Sequence, residues 1–457
     1  MNFIFISPNF PENYWNFCAA LKRNGVTVFG IGDAPYDNLD NRLRESLTEY
    51  YRVNNMEDYD QVYRAVAHFA AKYGRIDWIE SNNEYWLEQD ARLRTDFNVN
   101  TGIKTDKIDS IKEKSEMKKY YAAGGIRTAR QIKASDSLDN ILKFAYEAGY
   151  PLFAKPDIGV GSGGTHKIES EWALREFLNN TPHIHEYVIE EFVTGNICTY
   201  DAIINSKGEP MFESMCVCPP SISDIVNYNL DSTYYVQQHI NENLRFWGRQ
   251  TIKAFGVKSR FVHLEFFQLG RAHRGLGNEG DFVALEVNMS PGGGYTPDMI
   301  NYANSTDVYK IWADMIAFDK TDLAQGEHFY CAFAGLRDGK EFKFSHDDIM
   351  AKYGSNMKMV GRIPAALAEA MADKMYMANF STKALGWREV LEEFAARIGK
   401  IVSGSGEPLE AIGISCGGPL DSKRGIVLSP PNLPGWGEVP VGGFFKERFK
   451  DILTFED

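Results

Sequence analysis

Along the first eighty residues the chain switches between two hydrophobic rhythms. Short apolar runs at Asn2–Ser7, Val26–Ile31, Tyr50–Val53 and Ile76–Glu80 have the character of buried strands. Between them, polar and apolar positions recur with helical spacing. Trp15, Phe17, Ala20 and Leu21 precede Gly25, predicting a helix over Glu12–Asn24 that glycine stops. Tyr59, Val62, Tyr63, Val66, Phe69, Ala70 and Tyr73 form one stripe of a second helix, Glu57–Tyr73. Strands alternating with helices predict a parallel α/β sheet, in which ligands sit beyond the carboxyl ends of the strands. Here those ends are the polar turns Ser7–Asn13 and Glu80–Glu84, which are substrate-side candidates or simply loops capping their helices. No G-x-G-x-x-G follows the first strand, so nothing in this layer points to a dinucleotide.

From Thr105 to Ala123 the pattern is helical and strongly charged. Lys107, Lys112, Lys114, Lys118 and Lys119 stand against Asp106, Asp109, Glu113 and Glu116, as on a solvated face. A helix over Ser137–Ala148 follows, and then a strand that delivers Lys155 into a glycine-rich segment, Gly159, Gly161, Gly163 and Gly164. Such a loop can bring backbone N–H groups close to an anion, with the lysine beside it. A P-loop places its lysine after the glycines, so this is a different device. Tyr187–Val193 reads as a strand with Glu190 and Glu191 in its middle, and Cys198–Asn205 as another, closed by a hairpin turn at Ser206–Gly208.

Two later strands carry acids where acids are costly. In Val262–Phe267, alternation puts His263, Glu265 and Phe267 on one face; in Phe282–Met289 it groups Glu286 with Asn288 and turns Val283, Leu285 and Val287 away. Carboxylates among bulky apolar residues need a cation. Glu265, Glu286 and Asn288 are hard oxygen donors suited to Mg²⁺ or Mn²⁺; the alternative is a pair of core acids satisfied by Arg260 or Lys258.

A net charge of −13 argues against a dominant nucleic-acid surface. The chain begins without a basic segment followed by a long apolar one and has no membrane-length apolar run, so cytoplasmic residence is expected. Six cysteines are too sparse for a disulfide scaffold; Cys216 and Cys218 alternate as buried strand thiols would, with no second pair to complete a zinc site. No Ser–His–Asp or Cys–His constellation stands out.

Lys114 with Met117, Lys155 before its glycines, Glu190-Glu191-Phe192-Val193-x-Gly195, Glu265 and Glu286-x-Asn288 occur in that order. The series resembles the ATP-grasp superfamily, particularly carbamoyl-phosphate-synthase-like and carboxylate–amine ligase members. The resemblance implies an α/β Rossmann-like preceding domain over 1–105 and a two-part ATP-grasp α+β domain over 106–375, its lid at about 130–195. It implies that Lys114 and Lys155 contact ATP phosphates, that Gly159, Gly161, Gly163 and Gly164 close over them, and that Glu190 meets the adenine amino group at a hinge formed by Glu191, Phe192 and Val193. Glu265, Glu286 and Asn288 take the metal-ligand places. Two positions depart from the pattern. Asn196 and Ile197 stand where a ribose-binding acid is common, and Ser290 where Arg often follows the metal Asn; Lys155, Arg260 and Arg271 are then the candidate catalytic cations, with Arg274 a further one. The implied activity is ATP-dependent activation of a small carboxylate as an acyl phosphate, attacked by an amine, thiol or similar nucleophile, releasing ADP and phosphate. Expected partners are those small molecules and a second copy of the chain, with neither nucleic acid nor membrane. The alternative is a nucleotide-binding regulatory protein that retains the fold without turnover.

After Met377 the character changes. Trp387–Ile401 predicts an amphipathic helix, Ser403–Gly406 a flexible break and Ala411–Ser415 a strand. Ile412–Asp421 with Pro430–Trp436 resembles the ROK family of sugar kinases and repressors. This implies a partial actin-like segment over 376–457 that lacks that family's phosphate loop, catalytic aspartate and zinc cysteines, which disfavours a sugar-kinase reading.

Overall fold

The backbone follows the two rhythms closely over the first hundred residues. The structure, a computed structural model, describes residues 1–159, 164–219, 221–381, 387–405, 409–414, 419–428 and 436–450, without the side chains of 223 and 405. It forms two compact units, Met1–Phe380 and Ser381–Asp457.

The first unit opens with four parallel strands, β1 (Asn2–Ile6), β2 (Thr27–Gly32), β3 (Glu49–Arg52) and β4 (Trp78–Glu80), in the order β3-β2-β1-β4. The helix Trp15–Arg23 buries Phe17, Cys18, Ala20 and Leu21 on one face of this sheet; Tyr59–Tyr73 buries Val62, Ala65, Val66 and Phe69 on the other. Spacing alone places Phe17, Ala20, Leu21, Val62, Val66 and Phe69 correctly, but Tyr63 is exposed while Cys18 and Ala65, outside the expected stripes, are buried.

The single helix expected over Thr105–Ala123 is instead two, Asp109–Lys112 and Lys114–Ala123, with Glu113 extended between them. The physical reason is a tertiary cap. Asp157 accepts from the backbone and hydroxyl of Ser115 at 2.7 and 2.6 Å, and its carbonyl accepts from Lys114 N, so the second helix starts where these bonds allow.

Next come β5 (Gln131–Lys133), β6 (Leu152–Pro156), β7 (His166–Ile168) and β8 (Tyr187–Glu191), an antiparallel sheet in the order β5-β8-β6-β7. It packs on the helices Leu138–Ala148 and Glu171–Asn180 through a core of its own that includes Ile141, Leu152, Leu174 and Ile189.

The rest of the unit is an eight-stranded antiparallel sheet. Its strands are β9 (Gly195–Ile204), β10 (Pro210–Cys218), β11 (Ser232–Val236), β12 (Arg260–Leu269), β13 (Phe282–Asn288), β14 (Tyr330–Leu336), β15 (Met357–Arg362) and β16 (Lys374–Phe380). The order is β13-β12-β9-β10-β11-β14-β16-β15. Because β16 pairs along its length with β14, this unit runs on to Phe380, past residue 375. Gly195 lies so close to β12 that a Cβ there would come 2.2 Å from the Gln268 carbonyl oxygen, so only glycine admits this approach.

The second unit packs the helix Trp387–Ser405 and the helix Val441–Arg448 around Leu391, Ala395, Val427, Val439 and Phe445. The expected break at Ser403–Ser405 is helical, because Ser403 Oγ donates back to the Gly399 carbonyl and satisfies itself within the helix. No strand forms over the described residues 411–414; the described strands of this unit are Leu420–Asp421, Ile426–Leu428 and Glu438–Val439. Residues 415–418 and 429–435, which carry much of the ROK-like pattern, lie outside the described residues. Among the described residues, no helix is long and apolar enough to cross a membrane.

Candidate active site

The acids that alternation placed on one face meet across adjacent strands. Glu265 of β12 and Glu286 of β13 are direct cross-strand partners, as are His263 and Asn288; such pairs hold their Cβ atoms about 5 Å apart. Asn288 Nδ2 donates to Glu265 Oε1 at 3.5 Å. Past this row the register slips: Phe266 faces Ala284, leaving Leu285 bulged out. Simple alternation turns Val283 away from Glu286, and the bulge reverses that. Val283 packs with Ala129, Val193, Leu269 and Phe267, making an apolar wall.

Lysines face the acids from two other elements. Lys114 Nζ, at the start of its helix, lies 3.4 Å from Glu286 Oε1 and donates to the Gly159 carbonyl at 3.2 Å. Lys155 Nζ, from β6, lies 2.8 Å from Glu190 Oε2, and Lys118 Nζ 2.8 Å from Glu190 Oε1. Lys114, Lys155 and Glu190 are 7%, 5% and 3% exposed, so these charges interact with little solvent screening. Burial works to deprotonate Lys155, but Glu190, Glu286 and Glu265 outweigh it and hold the ammonium above its ordinary range. Burial alone would raise the Glu190 carboxyl; Lys118 and Lys155 together bring it down to about 2. Glu286 goes the other way, raised by burial and by Glu265 despite Lys114.

A third row extends the acidic face. His263 Nδ1 lies 2.7 Å from Asp201 Oδ1 on β9, and its Nε2 lies 3.7 Å from Glu265 Oε1. Burial favours a neutral ring, yet Asp201 and Glu265 carry it up to about 10, so it stands as an imidazolium at neutral pH. A Cβ on Gly292 would come 2.9 Å from His263 Nδ1, so the Pro291–Gly294 segment runs directly against this ring.

The structure thus links Lys114, Lys155, Gly159, Glu190, Glu265, Glu286 and Asn288 in one network of charged and hydrogen-bonded groups within the first unit, with Val193 packed against Val283 beside it. Gly164 is nearby, with φ +72° and space for a Cβ closed by the Tyr187 hydroxyl; Gly161 and Gly163 lie outside the described residues. Other candidates have different work. The Glu191 carboxylate is held by Arg130 through its backbone N–H at 2.7 Å and its guanidinium at 2.9 and 3.0 Å, and the Phe192 ring lies under Lys167. Arg260 is buried at the far end of β12, donating to Glu80 Oε2 and to the Met289 carbonyl, both at 2.7 Å, so its charge is already committed. Arg271 and Arg274 are exposed on the loop after β12. Reading the charged helix as a solvated face missed Lys118, whose partner Glu190 is distant in sequence; its only local signal was a lysine one turn after Lys114.

Two carboxylates and an amide oxygen, with a single lysine close to them, make a donor set that fits a hard divalent cation, and the lysines opposite suit phosphate oxygens. The apolar wall by Val193 suits a flat heteroaromatic ring.

No family model matches the chain. It is 27% identical over 181 residues to D-alanine--D-alanine ligase B of Clostridium perfringens (strain 13 / Type A), covering 39% of this chain and 58% of that protein. It is 36% identical over 101 residues to D-alanine--D-alanine ligase of Clostridium perfringens (strain SM101 / Type A), covering 22% of this chain and 33% of that protein. The chain therefore spans well under two thirds of the curated relatives it matches. Among solved structures, L-amino acid ligase from Bacillus licheniformis aligns at TM-score 0.60 and 13% identity, over 87% of this chain and 97% of that one. Phosphoribosylglycinamide synthetase from Anaerococcus prevotii aligns at 0.59 and 14%, over 88% and 98%. N5-Carboxyaminoimidazole synthetase from Staphylococcus aureus, complexed with ADP, aligns at 0.60 and 13%, over 87% and 96%. Identities this low establish a shared α/β fold. The likenesses support the resemblance to ATP-grasp ligases and do not bear on the ROK-like segment.

Proposed function

We propose that this chain is an ATP- and Mg²⁺-dependent ligase that activates a small carboxylate as an acyl phosphate for attack by an amine or similar nucleophile. The observation that carries this reading is the cross-strand pair Glu265–Glu286 facing Lys114 and Lys155 from separate elements. The contacts that Lys114 and His263 make with these acids, 3.4 and 3.7 Å, are longer than the 2.7 and 2.9 Å contacts that the arginines make with Glu80, which supports a place for a further cation.

In this reading Glu265, Glu286 and Asn288 would hold Mg²⁺, which would supply positive charge to offset that of the phosphates. Lys114 and Lys155 neutralise the phosphates from the other side. Val193 and Val283 enclose the adenine. With these groups fixed, a substrate carboxylate oxygen attacks the γ-phosphorus; the new O–P bond forms as the bond to ADP breaks, and ADP keeps the electron pair. The amine nitrogen then attacks the acyl carbon, phosphate leaves with its bonding electrons, and the nitrogen loses its proton. The protein contributes position, charge and the exclusion of water, which would hydrolyse the acyl phosphate. Glu190 serves chiefly as counter-ion to Lys155 and Lys118, since both of its oxygens face ammonium groups.

The test is ADP release by the purified chain with Mg²⁺-ATP and a panel of amino acids, peptides, other carboxylates and bicarbonate, each with an amine donor. Release that needs both acid and Mg²⁺ is the expected result. Tight Mg²⁺-nucleotide binding with no acid-dependent release would favour a regulatory nucleotide-binding protein, the reading to which Ser290, in a place where arginine is common, lends weight.

A further inference from the structure

A second group of metal-ligating side chains has no role in the chemistry above. The helix Glu171–Asn180 is joined to β8 by a short segment that ends His183-Ile184-His185-Glu186. Ile184 packs half-buried against the apolar core of the small sheet, and the residues on either side of it, His183, His185 and Glu186, are all exposed. Backbone bonds close the turn: the Glu186 N–H donates to the His183 carbonyl at 2.9 Å and the Tyr187 N–H to the Ile184 carbonyl, with His183 at φ +54°.

Held this way, one ligand atom from each of the three side chains lies within 4.8 Å of the other two, and no other group of His, Cys, Asp and Glu among the described residues converges so. His183 Nδ1 stands 3.7 Å and His185 Nε2 3.5 Å from the same oxygen, Glu186 Oε1. Bonds of about 2.0–2.2 Å to a tetrahedral cation set neighbouring ligand atoms roughly 3.3–3.6 Å apart. The observed spacings therefore need little adjustment for one ion to sit among the three. They are too long for hydrogen bonds. The side chains are between 63% and 73% exposed, where ion pairs add little to stability, so folding alone gives no reason for the convergence.

We propose that His183, His185 and Glu186 form a binding site for a divalent transition metal, Zn²⁺ foremost, separate from the Mg²⁺ place proposed on β12 and β13. Two imidazole nitrogens and a carboxylate are donors that such ions take, with the fourth position left to water, whereas Mg²⁺ takes oxygen ligands. The site reaches inward through the backbone. The Glu186 carbonyl accepts from Asp157 N at 2.7 Å, and Asp157 caps the helix that carries Lys114. A metal that fixes this turn braces the start of β8 and, through Asp157, the head of that helix. The inference does not depend on the ligase reading.

The experiment titrates the full, reduced chain with Zn²⁺ by calorimetry in millimolar Mg²⁺, comparing the wild type with the double variant His183→Ala/His185→Ala and with Glu186→Gln. Because the ligands lie within four residues, the unfolded chain can also bind metal, so binding to the folded protein is a better readout than a melting shift. The wild type should take up one more equivalent of Zn²⁺ at micromolar concentration than the double variant. Affinity at the site should fall on the order of 100-fold or more without the histidines, since disturbing even an outer-shell partner of a metal costs about 10–100-fold. Co²⁺ should give the visible absorption of a tetrahedral centre in the wild type and not in the double variant. Without metal, all three proteins should melt alike, the side chains being exposed. Equal uptake by the wild type and the double variant overturns the proposal. A Glu186→Gln protein that keeps full affinity overturns the three-ligand site, and displacement of Zn²⁺ by the millimolar Mg²⁺ overturns the assignment of metal class.

Discussion

Two clusters of carboxylates, one buried and one half-buried, lie within the first unit, and they are built differently. Around Glu80, Arg94 approaches Oε2 at 2.9 Å and Arg260 the same oxygen at 2.7 Å, with Asp90 3.8 Å from Arg94 and bonded to Ser81. Two arginines balance Glu80 there, while Asp90 keeps one buried oxygen without a hydrogen-bond partner among the described residues and burial raises its carboxyl to about 7. Burial would raise Glu80, and the two arginines still hold it below the usual carboxylate range. On β12 and β13, Glu265 and Glu286 instead face one another, and Glu286 is raised despite Lys114. The first cluster ties β4 to β12 through arginine contacts of 2.7 and 2.9 Å on one Glu80 oxygen. The second is closed more loosely, by Lys114 at 3.4 Å from Glu286 and His263 at 3.7 Å from Glu265. The two differ in how tightly the chain's own cations close on the acid.

The sharpest way to break this contrast is at the looser cluster. Glu265→Gln should reduce ADP release by roughly 1,000-fold or more, since a metal ligand carries several kcal/mol of charge stabilisation. Its melting temperature should hold or rise, because a like-charge neighbour is removed. A large loss of stability would move Glu265 into the structural class. The reverse is expected at the tighter cluster. Arg260→Ala leaves Glu80 short of one partner and should cost about 3–5 kcal/mol in urea unfolding; at temperatures where the variant stays folded, its affinity for Mg²⁺-ADP should match the wild type. Unchanged stability with lost activity would return Arg260 to catalysis.

Lys155→Met probes the border between the two kinds, because Lys155 both balances Glu190 and faces the acids. Nucleotide affinity by calorimetry should fall about 10–100-fold, the range for losing one charge-assisted bond. The smallest effect is a slope. Glu190 has a folded pKa of about 2, below its ordinary value, so its contribution to stability is full above the unfolded value near 4.5 and is lost as pH falls toward 2. Unfolding free energy followed across that window should flatten in Glu190→Gln relative to the wild type, even though the variant is less stable throughout.

The acidic face was legible because it is local: Glu265, Glu286 and Asn288 declare themselves by sitting in otherwise apolar strands, and antiparallel pairing does the rest. Lys155 was legible beside its glycines. What sequence hid depends on distance or on a single irregularity. Arg260 looked like a free cation near the metal acids, but its partner Glu80 is 180 residues away. Lys118 looked solvated because Glu190 lies in another sheet. Val283 was turned to the wrong face by one bulged residue, Leu285, which no pattern of period two can announce.

The small sheet of β5–β8 keeps its apolar packing to itself: the buried side chains around Ile141, Leu152 and Ile189 all come from residues between Ala134 and Ile189. Such a layer can tilt as a plate without uncovering oil elsewhere, and the tethers it strains in doing so are polar, Lys114 to Gly159 and the Asp157 cap. On the proposed reading, moving this layer would exchange a few ionic and hydrogen-bonded contacts with water, a cost of the same kind that an arriving triphosphate would repay.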